Sequence, residues 1–207
     1  FYIDFEYFTN LNVDFDMQWP TLEGYEMIFM IGIGWVDNDR WAFKYFIADA
    51  ETPDSEMKMF QDFVEFLNDA TDRNLNGSDN VVLYHWTSVE SWQLKRASDR
   101  HQLPEIHPFR KLPLMDLQKV FLKGPTAIPG SLSYGLKEIS NGLGILDSRF
   151  QTNWPGELDE GLRAMVMGWK AYEKENPIES EEMNTLKVYL EADCQALCNI
   201  LRWLRSQ

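Results

Sequence analysis

The chain opens FYIDFEYF (residues 1–8), and the reading of these eight positions decides the fold. Six are apolar or aromatic, as in a buried β-strand, yet Asp4 and Glu6 interrupt the run. Side chains alternate along a strand, so the two carboxylates project to one face roughly 7 Å apart, while Ile3, Phe5 and Tyr7 point to the other. Two unpaired carboxylates on a covered face are costly. Basic partners, solvent at the strand's end or divalent cations would each relieve that cost.

Outward from this segment, Tyr25 to Val36 and Trp41 to Ala48 are two further β-rich runs, joined by the turn sequence Asp37-Asn38-Asp39-Arg40. Ser55 to Asn68 repeats apolar residues at a helical period, with Ser55 as its N-cap. Val81 to Trp86 reads as a short buried strand, Ser88 to Arg100 as a helix and Leu112 to Leu117 as another strand. Lys123 to Ser131 is loop. Helices follow at Tyr134 to Asn141, stopped by Gly142, then at Gly161 to Glu175 and Glu181 to Arg205, separated by Asn176-Pro177. The order βββαβαβ followed by helices predicts an α/β domain: a mixed five-stranded sheet, three antiparallel strands leading into parallel crossovers, flanked by helices.

The 207 residues suit one domain, 1–207, and are 44% hydrophobic, which places the chain among globular proteins. The first residue already lies in a strand-like run, so the domain is expected to be part of a longer protein. No apolar run approaches the roughly 18 residues of a membrane span and no signal segment opens the chain. The expectation is an intracellular, cytoplasmic protein with no membrane partner. Cys194 and Cys198, four apart on the last helix, read as small core side chains. Net charge is −14, but its distribution is uneven. Ser91 to Lys137 carries eight basic residues (Lys95, Arg96, Arg100, Arg110, Lys111, Lys119, Lys123, Lys137) against three acidic ones, a local +5 that leaves −19 elsewhere. Such a stretch is either a phosphate-facing surface or a solvated face.

Two other constellations accompany the opening carboxylates. On the last helix Leu186, Leu190, Leu197, Leu201 and Leu204 share an arc of roughly 60°. Tyr189 and Asp193 sit one turn apart on its flank. In YHWTSVE (84–90) a strand gives way to a helix, and Glu90 falls in the first turn, favoured there by the helix dipole and placed at the carboxyl end of the sheet, where α/β folds gather functional groups.

Together these motifs resemble the ribonuclease H-like exonucleases of the D-E-D-D type, in the subclass whose last motif carries a tyrosine. The chain is most similar to the predicted exonuclease domains found beside RecB-like nuclease modules. The matching stretches are IDFE (3–6), YHWTSVE (84–90), MDLQKVF (115–121), SLSYGLKEIS (131–140) and YLEAD (189–193). The resemblance implies a ribonuclease H-like fold and a metal-dependent nuclease, a 3′-to-5′ exonuclease on single-stranded DNA or RNA ends. It implies Asp4, Glu6, Glu90 and Asp193 as ligands of two Mg²⁺ or Mn²⁺ ions, Tyr189 as the residue positioning the attacking water, and a linked helicase or nuclease module as partner. In the family's second motif an Asn usually stands where this chain has Trp86, and an Asp where it has Glu90. The alternative is a ribonuclease H-like domain that holds nucleic acid or a partner without turnover.

The chemistry suits the residue types. Phosphodiester hydrolysis requires an activated water in line with the leaving oxygen and cations to neutralise that oxygen; Mg²⁺ and Mn²⁺ prefer carboxylate oxygen. The basic stretch then acquires a role: Lys95, Arg96 and Arg100 follow Glu90 on one helix and are expected to hold the phosphate backbone. His85, Trp86 and Trp92 are expected to stack on a terminal base, with packing in the core as the alternative for the two tryptophans. Asp116, ending the fifth strand, is a candidate outer-shell acid or a cap for the following turn.

Other patterns carry less. Asp72 to Gly77 matches the start of a calcium loop but has Leu83 at the twelfth position; Asp14 and Asp16 lie in a polar loop; Gly32 and Gly34 sit inside a strand with no helix after it. Three scattered histidines and two cysteines give a zinc site little support.

Overall fold

The computed structural model describes residues 1–9, 27–74, 81–124, 126–154 and 161–207, with the backbone alone at 71–74. Five strands form one sheet: β1 (Tyr2–Phe8), β2 (Met27–Asp37), β3 (Arg40–Ile47), β4 (Leu83–His85) and β5 (Leu114–Asp116), in the order β3-β2-β1-β4-β5. The first three pair antiparallel, whereas β1 with β4 and β4 with β5 pair parallel. This is the mixed sheet expected from the sequence. The β2–β3 turn works because Asn38 and Asp39, residues that tolerate the left-handed region, take positive φ angles of 48° and 62°.

Six α-helices accompany the sheet among the described residues: α1 (Pro53–Asn74), α2 (Val89–Arg100), α3 (Gln118–Lys123), α4 (Leu136–Leu146), α5 (Gly161–Tyr172) and α6 (Glu181–Leu204). Register assigns the faces. Phe5, Ile31 and Phe46 stand abreast on adjacent strands, and Phe46 meets Phe63 of α1 edge to face. Asp4, Gly32 and Tyr45 stand abreast on the opposite face, where α6 lies. A β-carbon on Gly32 would come within 2.7 Å of Leu190 Cγ, so the absence of a side chain there lets α6 settle directly on the sheet. Cys194 and Cys198 are buried and unbridged among Leu143, Leu197 and Leu201, the packing expected of small core residues.

Several element boundaries differ from expectation. α1 starts earlier, at Pro53, whose fixed φ suits a first helical turn. α4 starts two residues late and runs through Gly142 instead of ending there. At that position a β-carbon would lie 2.4 Å from Ile128 Cγ2 and 2.8 Å from the Pro129 carbonyl oxygen, so this glycine serves close packing and does not terminate the helix. The pairs Asp14/Asp16 and the second half of Asp72–Gly77 fall outside the described residues. No described helix is long and apolar enough to cross a membrane.

Candidate active site

The close seat of α6 on Gly32 decides where the acids go. Asp4 is the strand partner of Gly32, and Asp193 follows Leu190 by one turn of α6 less a residue, so α6 delivers its carboxylate over β1. β4 runs parallel to β1 and ends beside it, which brings the first turn of α2, with Glu90, to the same end of the sheet. A register shift falls between Glu6 and Tyr7, immediately beyond the second carboxylate, where bulges commonly re-aim side chains.

The result is one cleft of about 350 Å³ lined by Asp4, Glu6, Glu90, Tyr189 and Asp193 together with Trp86, Thr87, Val89 and Leu162. Glu6, Glu90, Tyr189 and Asp193 are buried and Asp4 is partly exposed to the cleft. Five side chains that the sequence spreads from position 4 to position 193 therefore share one cavity.

Their electrostatics follow from this crowding. Asp4 is pushed well above the ordinary carboxylate range, first by burial and then by Asp193, Glu90 and Glu6. Burial, then Asp193, raises Glu6 in the same way, opposed by Lys137. Asp193 is pushed up only to about 6: burial raises it, while a hydrogen bond from Trp154, the charge of Lys137 and hydrogen bonds with Asp4 and Tyr189 draw it back. The Trp154 indole nitrogen donates to Asp193 Oδ1 at 2.7 Å. Burial also raises Glu90, countered by a 3.1 Å hydrogen bond to His85 Nδ1. The Tyr189 phenol is driven above its usual range by burial and by the neighbouring carboxylates.

This donor set is all carboxylate, partly buried and self-repelling, which is the chemistry that suits hard divalent cations. Among the described residues no three His, Cys, Asp or Glu groups already stand at spacings that would cage an ion. The fit therefore rests on the donors' chemistry and their convergence on one cavity.

Thr87 adds strain at the same place. It lines the cleft at the β4–α2 junction with a φ of 67°, an outlier for a β-branched residue, and its hydroxyl accepts from the Val89 amide at 3.2 Å.

Three residues expected to touch nucleic acid are turned inward. Arg100 pairs through two guanidinium nitrogens with Glu56, which is 1% exposed and also accepts from the Ile28 amide and His101 Nε2. Its charge closes the α1–α2 contact, because a buried carboxylate needs that partner. His85 is 1% exposed and bonded to Glu90. Trp86 is buried, its indole donating to the Tyr134 carbonyl at 3.0 Å. Neither Arg100 nor His85 presents a face for a phosphate or a base, whereas Trp86, 5% exposed, keeps only a narrow surface on the cleft it lines. Lys95 and Arg96 lie on the exposed side of α2, and Trp92 beside them is 63% exposed. Asp116 accepts from the Gln118 amide at 3.0 Å, capping the turn into α3, and adds to the charge felt by Glu90.

Sequence reasoning passed over two residues of the site, Lys137 and Trp154. Lys137 lies inside SLSYGLKEIS (131–140) and counted only toward the basic stretch; Trp154 stands in a segment with no periodic signal.

The family model described as the RNase_H superfamily matches residues 15–205. The matched region includes Glu90, Tyr189 and Asp193 but begins after β1 and its two carboxylates. No curated protein and no solved structure matches the chain.

Proposed function

The chain belongs to the ribonuclease H superfamily, and from that premise we propose that it is a divalent-metal-dependent 3′-to-5′ exonuclease acting on single-stranded DNA or RNA ends. Membership by itself points to a nuclease that acts on nucleic acid with divalent cations. The finer reading is supported by one observation above others: Asp4, Glu6, Glu90, Tyr189 and Asp193 line a single cleft, in the motif order of the tyrosine subclass of D-E-D-D exonucleases.

In this reading Asp4, Glu6, Asp193 and Glu90 would hold two Mg²⁺ or Mn²⁺ ions. Bound there, the cations would supply Lewis-acid activation of water and neutralise the leaving oxygen. The chain's own residues do the rest. Trp154 and His85 each fix one carboxylate by hydrogen bonding, at Asp193 and Glu90, so ligand orientation does not depend on the substrate. Tyr189 keeps its proton, since burial raises its phenol; it therefore orients the water by hydrogen bonding and takes no proton from it. The water oxygen bonds to phosphorus, giving up its proton to solvent, as the P–O3′ bond breaks. The electron pair departs with the 3′ oxygen, which is protonated from solvent, and a nucleoside 5′-phosphate is released.

The cleft's volume of about 350 Å³ favours a single terminal nucleotide over a duplex. Incubation of 3′- and 5′-labelled single strands of DNA and RNA with Mn²⁺ tests the proposal. A stepwise ladder receding from the 3′ end, abolished by EDTA, is expected. Binding without cleavage by folded protein would replace this reading with a domain that only holds nucleic acid.

A further inference from the structure

Lys137 occupies the first turn of α4, directly after the N-cap Gly135 and Leu136. A cation there opposes the helix dipole, which favours negative charge at an N-terminus. Lys137 is nevertheless partly buried, and its ammonium lies over two aromatic rings, 4.6 Å from the centroid of Tyr189 and 5.7 Å from that of Trp154. Those are the two residues that flank Asp193: Trp154 bonds its carboxylate, and Tyr189 precedes it by one helical turn. Leu136, the adjoining residue, lines the cleft. The charge of Lys137 also acts on Glu6 and Asp193, drawing both carboxyls down. A positive charge thus stands at the edge of the acid cluster, against two aromatic rings.

The acids alone would repel a phosphodiester. We propose that Lys137 is a further catalytic residue of this site: its ammonium binds a non-bridging oxygen of the scissile phosphate and offsets the negative charge that builds on the phosphoryl group as water adds. The proposal rests on the assignment of the cleft as a phosphodiesterase site. A lysine suits the role as a compact point charge on phosphate, and preorganised charge aimed at a developing anion is where such sites gain most of their rate.

The sign of its effect on metal separates this role from a structural one. A cation beside the carboxylates disfavours divalent ions, so its removal does not weaken metal binding. The test compares wild type, Lys137→Met and Lys137→Arg in single-turnover cleavage of an end-labelled single strand at saturating Mn²⁺, with Mn²⁺ affinity measured calorimetrically without nucleic acid and folding followed by circular dichroism. Lys137→Met is expected to bind Mn²⁺ at least as tightly as wild type yet cleave about 100-fold more slowly, and Lys137→Arg to recover part of the rate. Cleavage by Lys137→Met at the wild-type rate would overturn the proposal. So would a slow variant whose Mn²⁺ affinity or folding falls in parallel, because Lys137 would then only support the ligands. Asp4→Asn in the same assay distinguishes the two levels: if it cleaves as wild type does, the site assignment fails and the role of Lys137 falls with it.

Discussion

Asp4 stands directly across from Gly32 on the neighbouring strand, and the missing side chain of Gly32 is what lets Leu190, and with it Asp193, approach the opening carboxylate. The site thus depends on a residue that carries no chemistry of its own.

Gly32→Ala places a methyl group 2.7 Å from Leu190 Cγ and 2.8 Å from Cδ2. Overpacking of this kind costs about 1–3 kcal/mol. The variant is expected to lose stability in that range in urea unfolding and to lose cleavage more than stability, since α6 carries both Tyr189 and Asp193. Adding Leu190→Ala is expected to return part of the activity by clearing the clash. Full activity in Gly32→Ala alone would show that the seat of α6 does not set the site.

Arg100 was expected on phosphate and is found on Glu56. Arg100→Ala leaves a buried carboxylate short of its main partner, which costs about 3 kcal/mol. Below its unfolding temperature, the variant is expected to bind a single strand with the salt dependence of wild type. Lys95→Ala and Arg96→Ala are each expected to leave stability nearly unchanged and to flatten the dependence of affinity on salt by about one phosphate contact. A flattened slope in Arg100→Ala would return that residue to the nucleic-acid surface.

Glu51 lies half-buried ahead of α1, and burial, reinforced by Glu173, raises its carboxyl to about 7 from an ordinary 4.5. Because the folded state holds the proton more tightly than the unfolded chain, the stability it contributes is present below about pH 4.5 and is lost as pH rises through 7. Glu51→Gln is expected to remove that slope, so the unfolding temperature of the variant exceeds that of wild type at pH 8 and approaches it at pH 4.5. Parallel curves for the two proteins over this interval would contradict the assignment.

Thr87 holds a left-handed backbone that costs a β-branched residue about 1–2 kcal/mol. Glycine relieves that strain while adding about 0.5–1 kcal/mol of unfolded-chain entropy and giving up the hydroxyl that accepts from the Val89 amide, about 0.5–1.5 kcal/mol. Thr87→Gly is accordingly expected to unfold close to the wild-type temperature but to cleave more slowly, because the β4–α2 junction that aims Glu90 becomes free to move. A loss of stability above about 2 kcal/mol would mean that φ at this position is not strained.

The sheet was legible because alternation and helical period are local signals. FYIDFEYF, the Asp37–Arg40 turn and the α6 leucine stripe each report their element within a few residues. The co-location of Asp4, Glu90 and Asp193 was legible only through motif order, since spacing along the chain does not say that Gly32 admits α6. Burial of charge was not legible. Arg100 and His85 look like surface ligands until Glu56, some 44 positions away, and Glu90 are seen beside them. Gly142 misled for a related reason: a glycine required for close packing and one required to end a helix are the same letter. Lys137 and Trp154 were missed because what matters is their approach to Tyr189 and Asp193, a contact between segments that no window of sequence contains.

The most direct test of the central claim, that the Asp4 cleft is a two-cation site, is calorimetric titration of Mn²⁺ into wild type and Asp4→Asn at neutral pH, with folding of both verified. The account predicts two bound ions in wild type and loss of at least one in the variant. Equal Mn²⁺ binding by both proteins would contradict it.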